Sequence, residues 1–277
     1  MDLVDEELHS IVGRFESTEA ATLPRAALTH PSIAAAGSVA RKALASPLLL
    51  RQLARRGIEP KAYRPYGDVG ELFRNYDWSL ALVLSPFKQA VQYWCDEVTP
   101  SAERSGVVDT ILQDETGKRI GINTNVSGAA WAVRHLMGGT RPRRCLIAGT
   151  GASARSCVVS LRDSYGELEI GVIGRNPVRT SDFAAELSVS IVEKIETYGA
   201  GLVINATTVG ETNDNELGFP LDTALTAGVR YFDLNNRTST LQTQALQRGC
   251  VTLSGILMQS VVNALRAHLM ARKGDRP

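Results

Sequence analysis

The chain has 277 residues, with 30 Lys plus Arg against 29 Asp plus Glu and a formal net charge of +1. That length suits one large domain or two of ordinary size, at roughly 100–200 residues each. The balanced charge argues against a dedicated nucleic-acid binder, and no run approaches the ~20 apolar residues of a membrane span.

Glu7 to Gly13 (ELHSIVG) reads as a first strand, and Glu16 to Ser46 as an Ala/Ser/Thr/Pro-rich stretch of weak helical period. Pro47 to Arg56 predicts a helix, with Ser46 as its cap and Gly57 as its stop. Ala62 to Tyr66 reads as a strand, Val69 to Tyr76 as a helix and Ser79 to Leu84 as a buried strand. A Ser85–Lys88 turn leads into an expected helix, Gln89 to Val98. Val107 to Leu112 and Arg119 to Ile122 form a strand pair around Asp114 to Lys118, a hairpin signal. Val126 to Met137 is helical and ends at Gly138-Gly139. Strands then follow at Arg144–Ala148, Glu169–Ile173, Leu202–Asn205, Tyr231–Leu234 and Val251–Leu253. Helices fall after the first Gly-rich turn, at Ser181–Leu187, at Gln242–Arg248 and at Ile256–Arg272. This alternation implies βαβ units and a parallel sheet, hence an α/β fold.

The four cysteines and four histidines are scattered, without CxxC, HxH or HxxxH spacing. Reduced thiols and no metal site are the expectation. The acidic start, Met1 to Glu7, lacks a signal peptide's basic opening and apolar run, so the chain reads as cytoplasmic.

Gly149-Thr150-Gly151-Ala152-Ser153-Ala154 fits G-x-G-x-x-A between a strand and a helix, the context in which that motif binds a dinucleotide. Gly149 permits the tight turn, Gly151 lets backbone approach a pyrophosphate, and Ala154 allows close helix–strand packing. The next strand ends in Ile173-Gly174-Arg175-Asn176-Pro177-Val178-Arg179. The acid that binds the NAD ribose is missing, and two arginines suit a 2′-phosphate. NADP is the expected cofactor, with Arg175, Asn176 and Arg179 beside its ribose.

At this point the residues resemble the shikimate dehydrogenase family. Ser46-Pro47 with its helix resembles S-P-x-x-H-N. Leu82 to Val91 resembles N-V-T-x-P-x-K-x-x-A, Gly106 to Thr110 resembles G-A-V-N-T, and Gly121 to Gly128 resembles G-x-N-T-D-x-x-G. Gly149 to Arg155 resembles G-A-G-G-A-x-R, Gly174 to Asn176 stands in for N-R-T, and Asn205 to Gly210 resembles N-A-T-P-x-G. Asp233-Leu234 and Gly255 to Met258 resemble the last two blocks.

The resemblance implies an N-terminal α/β substrate domain (1–124), an NADP-binding Rossmann domain (125–254) and C-terminal helices (255–277) that return to the first. It implies hydride transfer with NADP, as in reduction of 3-dehydroshikimate. Lys88 matches the family's acid–base lysine. Thr207 lies in the cofactor-side turn, and Leu234 and Gly255 match positions whose backbone meets the nicotinamide. The family's aspartate is Asn125 here, an amide that cannot ionise, and its asparagine is Asp109. Asp109 and Asn125 are therefore expected to face the substrate with Lys88.

Other polar contacts fall on Leu44, Leu82, Leu84, Val262 and Asn236, so the pocket looks rewritten for a small, less hydroxylated carbonyl/alcohol or imine/amine substrate. Two further readings stand beside it: a non-catalytic NADP-binding sensor, favoured by Asn125, and a divergent true shikimate dehydrogenase. The apolar final helix suits either the core or a homodimer interface, and the long stretch from Arg14 to Ala45 suits a pocket wall or an interface.

Overall fold

The computed structural model describes residues 3–19, 22–23, 32–210 and 221–271. The chain forms two compact units, Met1–Ser127 with Ser260–Pro277, and Gly128–Gln259. Arg272, the last residue of the helix expected over Ile256–Arg272, lies outside the described residues.

The first unit opens with α1 (Leu3–Glu19), where the sequence suggested a strand over Glu7–Gly13. Ile11, Phe15 and Glu19 are buried at four-residue spacing, while Gly13 is exposed. A glycine on the solvent face interrupts the pattern without interrupting the helix, since its cost is only about 1 kcal/mol. His268 Nε2 lies 2.9 Å from Glu16 Oε1, and the Ser101 N–H donates to Glu19 Oε2 at 3.4 Å.

β1 (Ser32–Ala36), α2 (Ala40–Leu44), α3 (Pro47–Arg55), β2 (Ala62–Tyr66), α4 (Val69–Arg74) and β3 (Leu80–Val83) follow. β4 (Glu97–Val98), α5 (Pro100–Ser105), β5 (Thr110–Gln113) and β6 (Arg119–Ile122) complete the sheet, in the order β2-β1-β3-β5-β6-β4. β1 pairs in parallel with β2 and β3, whereas β5 is antiparallel to β3 and β6. β1 (SIAAA) is wholly buried. Its three alanines have low strand propensity, which hid it in a stretch read as weakly helical.

The helix expected over Gln89–Val98 is a 3₁₀ turn, Ala90–Trp94, followed by β4. Tertiary pairing overrides local propensity there. The Asp96 and Thr99 N–H groups donate to the Arg119 and Gly121 carbonyls, and Asp96 Oδ2 accepts the Arg119 N–H. The Asp114–Lys118 hairpin is held by Asp114 Oδ1, which accepts the Thr116 and Lys118 N–H groups.

The chain leaves this unit within α6 (Thr124–Met137) and returns within α11 (Gly255–Ala271). Val261, Val262, Leu265 and Leu269 of α11 are buried within the chain. Of the two uses open for this apolar helix, core packing is the one observed.

The second unit contains β7 (Arg144–Ala148), α7 (Ala152–Tyr165), β8 (Glu169–Ile173), α8 (Pro177–Glu186), β9 (Ser190–Ile191), α9 (Ile195–Tyr198), β10 (Leu202–Asn205), β11 (Arg230–Asp233), α10 (Thr240–Gln247) and β12 (Val251–Ser254). All strands run parallel in the order β12-β11-β10-β7-β8-β9. Numbered within the unit, that is the doubly wound 3-2-1-4-5-6 order, with its switch point between β7 and β10. Leu146, Val203, Tyr231, Leu241 and Ala245 form part of its core.

No helix among the described residues is long and apolar enough to cross a membrane. All four cysteines are free thiols.

In the first unit Trp78 is fully buried, and its Nε1–H donates to the Leu72 carbonyl at 3.2 Å. Trp78→Ala is expected to cost about 3–5 kcal/mol through cavity and lost packing. Urea denaturation monitored by far-UV circular dichroism checks this; a midpoint within error of wild type would contradict it.

Candidate active site

The strand β3 ends in a turn that carries Lys88. The Phe87 N–H donates to Leu84 O at 3.0 Å, and the Val108 N–H donates to Lys88 O at 2.8 Å. Lys88 is thereby anchored next to the start of β5, where Asp109 sits. The Lys88 side chain is half-buried, and its ammonium finds no hydrogen-bonding partner among the described residues. Burial lowers its pKa from the ordinary lysine value; the Asp109 carboxylate pulls it back up, and Arg266 pushes it further down.

Asp109 is fully buried. Its Oδ1 accepts from Thr110 Oγ1 (2.9 Å) and from the Thr124 N–H (2.9 Å). Its Oδ2 accepts the Thr124 hydroxyl (2.8 Å) and the Asn125 N–H (3.1 Å). The carboxylate thus caps α6, meeting the free N–H groups and positive dipole end of that helix. Arg266 of α11 closes the cluster. Its Nε donates to Thr110 Oγ1 (3.0 Å) and one terminal nitrogen to Asn263 Oδ1 (3.2 Å). The other donates to the Asp109 carbonyl (3.2 Å) and lies 3.5 Å from Asp109 Oδ2.

Of the three residues expected to face a substrate, Asp109 has its lone pairs turned into the protein. Asn125 is held by its backbone: its N–H is shared between Asp109 and Asn123 Oδ1 (3.2 Å). The Asn125 side chain is 3% exposed and makes no hydrogen bond with the described residues. Lys88 and the Asn125 amide are therefore the two polar groups of this cluster with unused hydrogen-bonding capacity. Leu44, Leu82 and Val262 are buried, Leu84 is half-buried and Asn236 is exposed. Arg266 escaped the sequence reading; its only signal was a single arginine inside the apolar run Ile256–Met270.

In the second unit Gly149 follows β7 with φ +108°, and a Cβ there would lie 2.8 Å from the Ala206 carbonyl oxygen. The loops after β7 and β10 pass that closely at the switch point. Gly151 caps α7 without any side-chain hydrogen bond to the helix N–H groups, and no atom lies within 4 Å of where its Cβ would be. Thr150, Ala152 and Ser153 are half-buried in this turn, and Ala154 is fully buried.

Gly174 is confined. A Cβ there would meet Thr180 Oγ1 at 2.2 Å and Thr150 Cγ2 at 3.1 Å. Arg175 and Arg179 are exposed at the start of α8, where Asn176 Oδ1 accepts the Arg179 N–H at 3.0 Å. Asn176 is therefore the α8 cap.

A second buried network holds the loops after β10 and β11. Asp233 accepts from Asn205 Nδ2 (3.3 Å), Asn235 Nδ2 (2.8 Å), Tyr231 Oη (3.2 Å) and Ser239 Oγ (2.5 Å). Burial raises its pKa, and those donors pull it down. Asn205 and Asn235 both donate to Val209 O, and Thr207 Oγ1 donates to Asn205 Oδ1 at 2.7 Å. The Leu234 N–H donates to Asn205 O, and a Cβ on Gly255 would fall 2.1 Å from Leu234 O.

No protein-family model matches the chain. Among curated relatives, the shikimate dehydrogenase (NADP(+)) of Oleidesulfovibrio alaskensis is 32% identical over 183 residues, covering 64% of each chain. The solved shikimate 5-dehydrogenase of Thermus thermophilus, in complex with NADP(H) and shikimate, superposes with TM-score 0.72 at 25% identity over 86% of this chain and 92% of that one. The chain is similar in sequence and in fold to shikimate dehydrogenases. The shikimate dehydrogenase of Aquifex aeolicus shares the fold with TM-score 0.75 at 20% identity, covering 88% and 91% of the two chains. The chain spans 64% of the length of the first curated relative.

Gly149→Ala is expected to destabilise the second unit by about 1–3 kcal/mol through its backbone angle and the approach of Ala206. Because the clash is with a carbonyl, Ala206→Gly should not rescue it. Thermal unfolding of both single variants and the double variant checks this; rescue in the double would contradict the close approach.

Proposed function

We propose that the chain is an NADP-dependent oxidoreductase that interconverts a carbonyl and an alcohol, or an imine and an amine, on a substrate carrying fewer hydroxyls than shikimate. The observation that carries the reading is Lys88: a half-buried ammonium without a hydrogen-bonding partner among the described residues, its pKa lowered by burial, beside a carboxylate that is itself spent on capping a helix. A lysine whose proton is made easier to lose by burial suits a proton donor and acceptor.

The residues of the second unit fit a dinucleotide phosphate. The uncapped α7 N-terminus offers free N–H groups, and the open space over Gly151 leaves room for a pyrophosphate to approach the backbone. Arg175 and Arg179 supply cations for a 2′-phosphate. Gly174 adds a steric reason for NADP over NAD: packing of Thr180 leaves no room for an acidic side chain at the strand end. NADP(H), when bound, supplies or takes the hydride.

Lys88 gives its Nζ proton to the substrate heteroatom in reduction and takes it back in oxidation. The Asn125 amide hydrogen-bonds a substrate polar group and stays neutral throughout. Leu44, Leu82, Leu84 and Val262, where the family has polar side chains, leave few partners for ring hydroxyls. A site that reads hydroxyls discriminates strongly, so their loss disfavours shikimate.

Asn125 also favours a second reading, an NADP-binding regulatory module without turnover. Fluorescence titration of NADPH and NADH, then a screen of shikimate, quinate and less hydroxylated alcohols and amines with wild type and Lys88→Met, separates the two. The expected outcome is NADPH preference and turnover that Lys88→Met abolishes with NADPH binding intact. Tight NADPH binding without turnover on any substrate supports the regulatory module, and efficient shikimate turnover overturns the pocket reading. Arg175→Ala and Arg179→Ala should each weaken NADPH binding about tenfold, ~1.4 kcal/mol, and leave NADH unchanged; equal losses for both cofactors would contradict the 2′-phosphate assignment.

A further inference from the structure

Two buried charges in the first unit are unused by the proposed chemistry. Asp109 and Arg266 are 0% and 5% exposed, and they come from segments 157 residues apart. A buried ion pair is weak evidence for stability, because desolvation offsets most of the attraction. Something else has to account for this one.

Its position supplies the account. Val108 N–H holds the Lys88 carbonyl, so Lys88 lies one residue across from Asp109. Asp109 and Arg266 are the charged groups that act on the Lys88 ammonium among the described residues. A lone Asp109 would be the natural partner of that ammonium. The guanidinium is fixed against it at four points, through Thr110 Oγ1, Asn263 Oδ1, the Asp109 carbonyl and Asp109 Oδ2.

We infer that Arg266 is a positioning residue acting on Lys88 through Asp109: with the Asp109 lone pairs held inward by Thr110, Thr124 and Asn125, its guanidinium offsets the remaining Asp109 charge and leaves Lys88 Nζ free to exchange its proton. The inference deepens the reading of Lys88 as proton donor and rests on it. With Lys88 protonated the three groups sum to one positive charge; with Lys88 neutral they sum to zero. Arginine keeps its proton throughout, so Lys88 is the member that yields. Asp109 attracts the proton and Arg266 repels it, and the two effects are balanced only while both charges are present.

The test is titration of Lys88 itself, which needs no substrate. The chain has six lysines, few enough to resolve by Nζ-detected NMR, with Lys88 assigned by the loss of its signal in Lys88→Arg. Lys88 is expected to titrate below the other lysines. In Arg266→Gln the neutral fraction of Lys88, at a fixed pH below its midpoint, should fall at least tenfold, because the Asp109 charge is then no longer offset. In Asp109→Asn it should rise at least tenfold. In the neutral double variant Asp109→Asn/Arg266→Gln it should return to within threefold of wild type.

A purely structural role for Arg266 would lower the unfolding temperature and leave the Lys88 midpoint where it was; that result overturns the inference. So does a double variant displaced as far as either single. If Arg266→Gln does not fold, Thr110→Val removes the acceptor for Arg266 Nε and a donor to Asp109 without changing charge, and should lower the neutral fraction in the same direction; no change there overturns the inference equally. Turnover surviving in Lys88→Met would sink the proton-donor reading and leave these titrations standing. An unmoved Lys88 midpoint in Arg266→Gln would sink the pair and leave the donor reading standing.

Discussion

Asp109 is fully buried, so the lone pairs of its carboxylate call for donors from within the chain. The chain does this with donors from three places: Thr110 on its own strand, the first N–H groups of α6, and Arg266 on α11. Each donor ties a different element to the start of β5. The same short stretch fixes the Lys88 carbonyl through Val108. One ionised group therefore sets where β5, α6, α11 and the Lys88 turn meet, and a change at Asp109 is felt at all four. Removing a single partner of such a group leaves a buried charge uncompensated, which costs far more than the pair contributes.

The second unit solves a comparable problem without a cation. Asp233 is buried at the end of β11, and neutral donors from Asn205, Asn235, Tyr231 and Ser239 surround it. The two asparagines also reach Val209 O, which fixes the turn after β10. That turn is the wall against which Gly149 packs. Close backbone approach at Gly149 and at Gly255 leaves no space for side chains there, whereas Gly151 faces open space. Three glycines in this unit thus serve two purposes. Two allow chain segments to touch, and the third leaves α7 accessible to a ligand.

The features legible in the sequence are those decided by neighbours in the chain. The Arg144–Ala148 strand, the Gly149–Ala154 turn and the helix after it form a local pattern, and the order of βα units was enough for the fold class. Ser46-Pro47 and Gly57 marked α3 for the same reason. What escaped was decided at a distance. β1 reads as an alanine-rich helix former until it is placed between two parallel strands. Residues Glu97–Val98 become a strand only because β6 lies beside them. Asp109 looked like a substrate ligand because its type and position matched one. Apart from Thr110, its donors come from residues 15 or more positions away, and they turn it inward. Arg266 had no local signature at all.

That last pair explains the exchange of acid and amide seen along the chain. An asparagine at position 109 could cap α6 with its side-chain oxygen but would place no charge near Lys88. A carboxylate caps the helix more strongly through charge-assisted bonds, yet it would also hold the proton on the Lys88 ammonium. Arg266 removes that second consequence while preserving the first. Its guanidinium has the fixed fork needed to hold a carboxylate and a backbone carbonyl together, which a lysine ammonium does not match. The amide at Asn125 follows from the same constraint. A second carboxylate there, with its N–H on Asp109, would stand close to the first, and like charges in a buried site cannot both stay ionised without raising one pKa. Asp109, Asn125 and Arg266 thus form one coupled set: the carboxylate is tolerable in its buried place because Arg266 carries the opposite charge and Asn125 carries none.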